Sequence, residues 1–328
     1  IHFCIQREHI DYSVLTSFTH FSLCLLMTGP VRLLPLLPPQ ATPTSPRCSY
    51  DPRTANGARS RNAALPTSPT AAFSQLHQLQ LSRSQLQPRC LLILMDFTSV
   101  YLTPKIGHKV ETSTVQDFII VMEFIDQTGR RCREYLDFLC DCAVTNKNDY
   151  HFVLCTWLFL FLRKKLNDFF DSIEIWSDGG PHHFKTRYCQ WMWSWLSTHK
   201  FSGKRITHNF FASYHGHSLA DSHAASIKRV LHSQYNTSQI QRFSSSTSAL
   251  YWGPANATEF SALLTHACSN TQIHVFPHID RDPKLKPRIS SIKEIKKKHC
   301  FVYEANTCRA FEETKTGAGE AFSQTIKS

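Results

Sequence analysis

The sequence predicts an α/β fold: a mixed five-stranded sheet, three antiparallel strands plus two parallel ones, with helices on both faces. Three observations predict it. From Leu91 onward, apolar runs of strand length alternate with stretches whose apolar residues recur at helical spacing. A tight turn, Gln127-Thr128-Gly129, joins two of those runs. The stretch IEIWSDGG ends a strand on one carboxylate, Asp178, at a glycine turn, and the C-terminal edge of such strands is where ligands and catalytic groups collect.

The elements follow in order. LLILMDFTSVYL (91–102) reads as a buried strand with one acid, Asp96, in its middle. VQDFIIVMEFID (115–126) and RRCREYLDFLCD (130–141) are the second and third strands. Residues 150–170 carry Phe152, Val153, Trp157, Leu160 and Phe161 at helical spacing, broken by charge at 163–165. IEIWS (173–177) is the fourth strand, 185–198 a second helix, and ITHNFFAS (206–213) the fifth strand. A third helix runs from Ser218, a fitting N-cap, to about Gln234, with Asp221 in its first turn. The order β-β-β-α-β-α-β-α is that of the ribonuclease H-like arrangement, in which strands one and four are neighbours.

Outside this block the character changes. Residues 1–88 hold ten of the 16 prolines and no lysine, and read as a disordered arm or as mispredicted sequence; the chain also opens on Ile1, which suggests a fragment. The catalytic core is expected over 89–240. A basic α/β extension follows over 241–312, with a helix at 258–267 capped by Thr258 and a strand at 272–279, and 313–328 is a loose tail. The formal charge of +11 points to a polyanionic partner, nucleic acid before an acidic membrane surface. The apolar patch at 21–27 is short for a membrane span. Twelve cysteines without CxxC spacing read as free thiols in a reducing compartment.

A lone carboxylate inside a buried strand is costly. In the predicted order Asp96 faces Asp178 across the top of the sheet, and Asp221 packs back toward the same edge. Carboxylates so placed repel, and a divalent cation turns repulsion into ligation, with oxygen donors suiting Mg²⁺ or Mn²⁺. Two such ions serve phosphodiester hydrolysis or strand transfer. The competing reading of Asp178 is an ordinary turn aspartate, and Asp137 and Asp141 are the acids to inspect if Asp221 points away.

The run WSDGGPHHFKTRYCQWMWSWL (176–196), followed by NFFASYHGHSLADSHAASIKRVL (209–231), resembles the ribonuclease H-like catalytic core of eukaryotic DDE/D-type DNA transposases and proteins derived from them. The resemblance covers roughly 91–310 and is most specific over 173–231. It implies Asp96, Asp178 and Asp221 as first, second and third acid, two Mg²⁺ or Mn²⁺ ions, DNA as partner and a nuclear location. A homo-oligomer is compatible with it, and no membrane is expected.

Lys185, Arg187, Lys228 and Arg229 flank the acids and suit DNA backbone contacts, as do Lys296 and Lys297 in the basic stretch 281–298; solvated helix charges are the plainer account of each. His182, His183, His215 and His217 crowd the motif, with His223 nearby, and suit phosphate contacts or proton relay, or a soft metal. Trp191, Trp193 and Trp195 alternate, so one helix face cannot bury all three. Two rivals share this fold: a nucleic-acid-binding protein that has lost catalysis, and a ribonuclease H-like nuclease with another substrate.

Overall fold

The structure is a computed structural model and describes residues 69–102, 105–106, 109–110, 113–141, 150–162, 169–180, 184–211, 218–236, 251–252, 254–276, 279, 294–304, 307–312 and 322–324. His182, His183, His215 and His217 lie outside these residues, as do 1–68, 163–168 and most of the basic stretch. All the described residues fall in one compact unit, Leu65–Ser328.

That unit is an α/β structure around a mixed sheet. The first apolar run forms β1 (Cys90–Leu102), and the hairpin that follows is β4 (Ser113–Ile125) and β5 (Arg131–Cys140); two-residue strands β2 (Lys105–Ile106) and β3 (Lys109–Val110) lie between β1 and β4. The hairpin turn closes on Asp126, whose carboxylate accepts from the Thr128 and Arg130 amides at 2.9 Å, while Gly129 takes φ +82°, a conformation that costs glycine little. Then come α2 (Tyr150–Leu162), β6 (Ser172–Ser177), α3 (Arg187–His199), β7 (Arg205–Phe210) and α4 (Leu219–Asn236). The chain continues through β8 (Tyr251–Trp252), α5 (Ala257–Ala267), β9 (Thr271–Val275), β10 (Cys300–Glu304), β11 (Thr307–Phe311) and β12 (Phe322–Gln324).

Among the described residues the large sheet has nine strands in the order β12-β11-β10-β7-β6-β1-β4-β5-β9, and β3-β2-β8 form a small second sheet. β1 pairs antiparallel with β4 and β4 with β5, whereas β1, β6 and β7 run parallel. The sheet is therefore wider than the five strands expected. β9 adds parallel to β5, and β10 antiparallel to β7. The extension expected over 241–312 is thus part of the same sheet, and even the expected tail contributes β12 against β11. Pairing with an open strand edge satisfies backbone groups that these short segments could not satisfy alone.

Each face of the sheet has its own core. Leu91, Ile93, Met95, Phe118, Ile120, Ile173 and Ile175 point to one side, where Phe152 and Trp157 of α2 and Met192, Trp193 and Leu196 of α3 cover them. Leu92, Leu94, Ile119, Val121 and Trp176 point to the other, under α4 and α5. Of the three alternating tryptophans only Trp193 is fully buried, as the helical period requires.

A helix α1 (Pro69–Ser84) stands within the segment expected to lack structure. Its inward positions Gln75, Leu79 and Ser82 are mostly polar, which hides the amphipathic period. Ser82 Oγ donates to Glu174 at 2.6 Å, and Arg83 binds Glu123, a fully buried carboxylate that also holds Arg131 and Arg133. Helix α5 is capped one residue pair earlier than expected: Asn256, not Thr258, accepts the Glu259 amide.

Candidate active site

Two strand geometries bring the first two acids to one place. β1 and β6 are parallel and in register from Cys90↔Ser172 to Met95↔Ser177, so Asp96 and Asp178 each stand one residue past the last pair. Asp96 extends the set Leu92 and Leu94, on the face covered by α4, and its Oδ1 accepts the Phe97 amide at 2.8 Å. Asp178 ends its strand in an Asx turn, with Oδ2 accepting the Gly180 amide at 3.1 Å. The turn needs glycine at 179, since a Cβ there would overlap the Phe211 carbonyl oxygen. Asp178 is therefore a turn aspartate in its local bonding, and it also stands beside a second acid.

Helix α4 supplies the third. Ser218 caps it, its Oγ accepting the Ala220 amide at 3.1 Å, while the Ser218 amide and hydroxyl both donate to Asp221 Oδ2, at 2.7 and 2.9 Å. This cap fixes Asp221 at the helix start. The Asp221 carboxylate acts on Asp96 and favours its protonated form. Burial is the largest influence on Asp96, followed by repulsion from Asp221, with Asp178 adding to it; together they push its pKa up to about 7. Three acids from three separate elements thus act on one point.

The acidic ground extends along the sheet. Register places Asp96, Ile119 and Asp137 in one row, and Thr98 and Asp117 in the next. Asp117 and Asp137 are fully buried. Burial raises the pKa of both, and repulsion from Asp137 raises Asp117 further. Neither oxygen of Asp117 has a hydrogen-bond partner, whereas Asp137 meets His223 Nε2 at 3.0 and 3.1 Å. Asp141, the other reserve acid, accepts the Ala257 amide at the start of α5. The sequence marks Asp117 only as one more residue of an apolar strand; its inward direction is fixed by the register.

The basic candidates divide by exposure. Arg187, Lys228, Arg229, Lys296 and Lys297 are solvent-exposed; Arg187 lies over the Tyr188 ring, Arg229 donates to Ser226 and Lys297 pairs with Glu294 at 2.7 Å. Lys185 is buried and its ammonium donates to the Lys296 carbonyl at 2.9 Å, so it is turned into the fold. Burial brings its pKa down to about 8, with Asp178 opposing. Burial and then Lys185 keep His208 neutral, its pKa lowered to about 3; His208 Nε2 lies 2.8 Å from Ser177 Oγ on the opposite face. Ser177 itself is 1% exposed.

Among the described residues, no group of three or more His, Cys, Asp or Glu side chains is disposed to hold a metal ion. The donor set at Asp96, Asp178 and Asp221 is nevertheless all oxygen, and a cation there would relieve the repulsion that raises the Asp96 pKa. The described cysteines are free thiols, and no described helix is long and apolar enough to cross a membrane.

Fold and site together define an α/β protein with a mixed sheet and a cluster of acids where the parallel pairing of β1 with β6 ends. The chain belongs to a domain family of unknown function, DUF8701, which matches residues 75–312. The match begins inside α1, in keeping with that helix being part of the folded unit. No curated protein matches the chain, and no solved structure does.

Proposed function

We propose that this chain is a transposase-like, divalent-metal-dependent enzyme that cuts and joins DNA, built on a ribonuclease H-like sheet. The fold reading is supported by the strand order β5-β4-β1-β6-β7, three antiparallel strands followed by two parallel ones, at the centre of the wider sheet. The observation that carries the function is the coupling of Asp96 to both Asp221 and Asp178. Carboxylates that repel at one point are costly, and hard divalent cations are the ligand class that repays the cost.

In this reading Asp96, Asp178 and Asp221 hold Mg²⁺ or Mn²⁺, which when bound would activate the attacking oxygen and stabilise the leaving one. The chain's own groups prepare the site. Ser218 holds one oxygen of Asp221, Gly180 one of Asp178 and Phe97 one of Asp96, which fixes each carboxylate where it faces the others. Asp96 would hold the cation in its ionised form. The exposed Arg187, Lys228, Arg229 and Lys296 suit phosphate contacts, which position DNA without reading its sequence.

The full chain should convert supercoiled plasmid to nicked circles with Mn²⁺, and Asp178→Ala should abolish nicking. An Asp178→Ala protein that nicks as wild type does would refute the assignment. The rival reading, a DNA-binding protein without turnover, is favoured by one observation: among the described residues no group of three or more acids, histidines or cysteines is disposed to hold a metal ion. Calorimetric titration of Mn²⁺ into wild type and Asp96→Asn separates the two: binding that depends on Asp96 supports the enzyme, and its absence supports the rival.

A further inference from the structure

Helix α4 is held to the sheet in an unusual way near its start. Its buried stripe is Ala220, Ala224, Ile227 and Leu231, so the buried residues of its first two turns are two alanines. Alanine offers a smooth contact over which a helix can roll at little cost. The helix lies across β1 and β4, and residues two apart differ by about 200° around its axis. Asp221 and His223 therefore stand on opposite shoulders of the stripe, Asp221 toward Asp96 on β1 and His223 toward Asp137 on β5.

The His223 shoulder is built as an anchor. Nε2 lies within hydrogen-bond distance of both oxygens of Asp137, whose side chain is fully buried, and the ring stacks on Tyr135 at 4.8 Å and 26°. Tyr135 and Asp137 are alternate residues of β5 and share its face toward α4, so ring and carboxylate are presented by one rigid strand. A stacked ring hydrogen-bonded to a buried acid has one permitted position, unlike the alanines beside it.

We propose that the His223–Asp137 pair is a positioning device: it sets the rotation of α4 about its axis and thereby holds Asp221 against Asp96. The inference rests on the reading of Asp221 as a site acid. It predicts that loosening one shoulder of the helix swings the other, although His223 touches neither substrate nor Asp96.

The test uses the full chain and His223→Phe, which keeps the stacking on Tyr135 and loses the hydrogen bond. In metal-free protein, hydrogen exchange at the amides of residues 222–228 should speed up by about tenfold or more, as expected for a local opening made easier. Mn²⁺ affinity by calorimetry should fall by about 10- to 100-fold, the usual effect of losing a residue that orients a metal ligand. His223→Gln, whose amide can still donate to Asp137, should recover affinity to within about threefold of wild type. A role in general stability alone would lower the melting temperature of His223→Phe and leave Mn²⁺ affinity unchanged, and that result overturns the proposal. Should His223→Phe fail to fold, Asp137→Asn carries the same comparison. Asp96→Asn is the control: if it binds Mn²⁺ as wild type does, the metal reading fails and the exchange rates decide the positioning claim, unchanged protection overturning it.

Discussion

Asp96→Asn should change how stability depends on pH, and the size of the change follows from the site. The Asp96 carboxyl is pushed up from its ordinary 3.8 to about 7, first by burial and then by Asp221. Between those values the folded protein keeps a proton that the unfolded chain has released, so metal-free stability falls as pH rises from about 4 to about 7. Each unit is worth about 1.4 kcal/mol, which gives a loss on the order of 4 kcal/mol, complete above pH 7. Asparagine has the same shape and cannot ionise. Wild type and variant should therefore unfold at similar urea concentrations at pH 4, with the variant more stable at pH 8 by about 2–4 kcal/mol. Asp117 and Asp137 are raised as well, so the variant keeps a residual slope of the same sign. Saturating Mn²⁺ at pH 8 should stabilise wild type and leave the variant unmoved. Parallel stability curves for the two proteins between pH 4 and 8 would refute the coupling on which the site is argued.

Other perturbations test the scaffold around that site. Glu123→Gln removes a buried charge from Arg83, Arg131 and Arg133 and should cost about 3–5 kcal/mol in urea unfolding. Because these arginines hold the Glu123 pKa below its ordinary 4.5, wild type should surrender part of that advantage as pH falls through the lowered value, and the variant should not. Gly179→Ala must push β6 away from the Phe211 carbonyl and should lower stability by about 3 kcal/mol, a loss visible in the melting temperature. For Lys185→Met the sign is reversed: folded Lys185 loses its proton near 8 and the unfolded lysine near 10.5, so wild type gains stability between those pH values and the variant lacks that gain. Equal slopes from pH 8 to 10 in the two proteins would disprove burial of that ammonium.

The central strands and helices were legible because their residues repeat the period of the structure they form. β1, β4 and β6 bury apolar side chains on both faces and read as continuous apolar runs, and α4 announces itself through Ser218, which does cap it. The turn at 127–129 was equally plain from Gly129. Helix α1 was missed because its inward residues Gln75 and Ser82 are polar and find partners across the fold, in His299 and Glu174. Strands β10 and β11 follow a lysine-rich stretch whose charge drew the reading toward an extended arm, yet Phe301 and Tyr303 are fully buried against β7 and α3. At the site, Asp96 and Asp178 could be read as strand-borne acids, and the order of elements suggested their pairing. The burial of Lys185 could not be read, since its partner, the Lys296 carbonyl, is distant in sequence. Nor could the Asp137–His223 pair, which forms only once α4 has a defined rotation over β5.

The contrast between Glu123 and Asp96 argues for what the site awaits. Both carboxylates lie on the α4 face of the sheet, on adjacent paired strands, and burial opposes the charge of each. At Glu123 the fold answers with arginines, and the pKa falls. At Asp96 the strongest influences after burial are two further acids and one backbone amide, and the pKa rises. The chain does not lack cations, with 36 lysines and arginines against 25 acids. A sequence that neutralises one buried acid so fully, and gathers two more acids around another, has built a place where positive charge must come from outside. A proton supplies it in the metal-free protein at neutral pH, and a divalent cation would supply more of it, with all three acids as ligands.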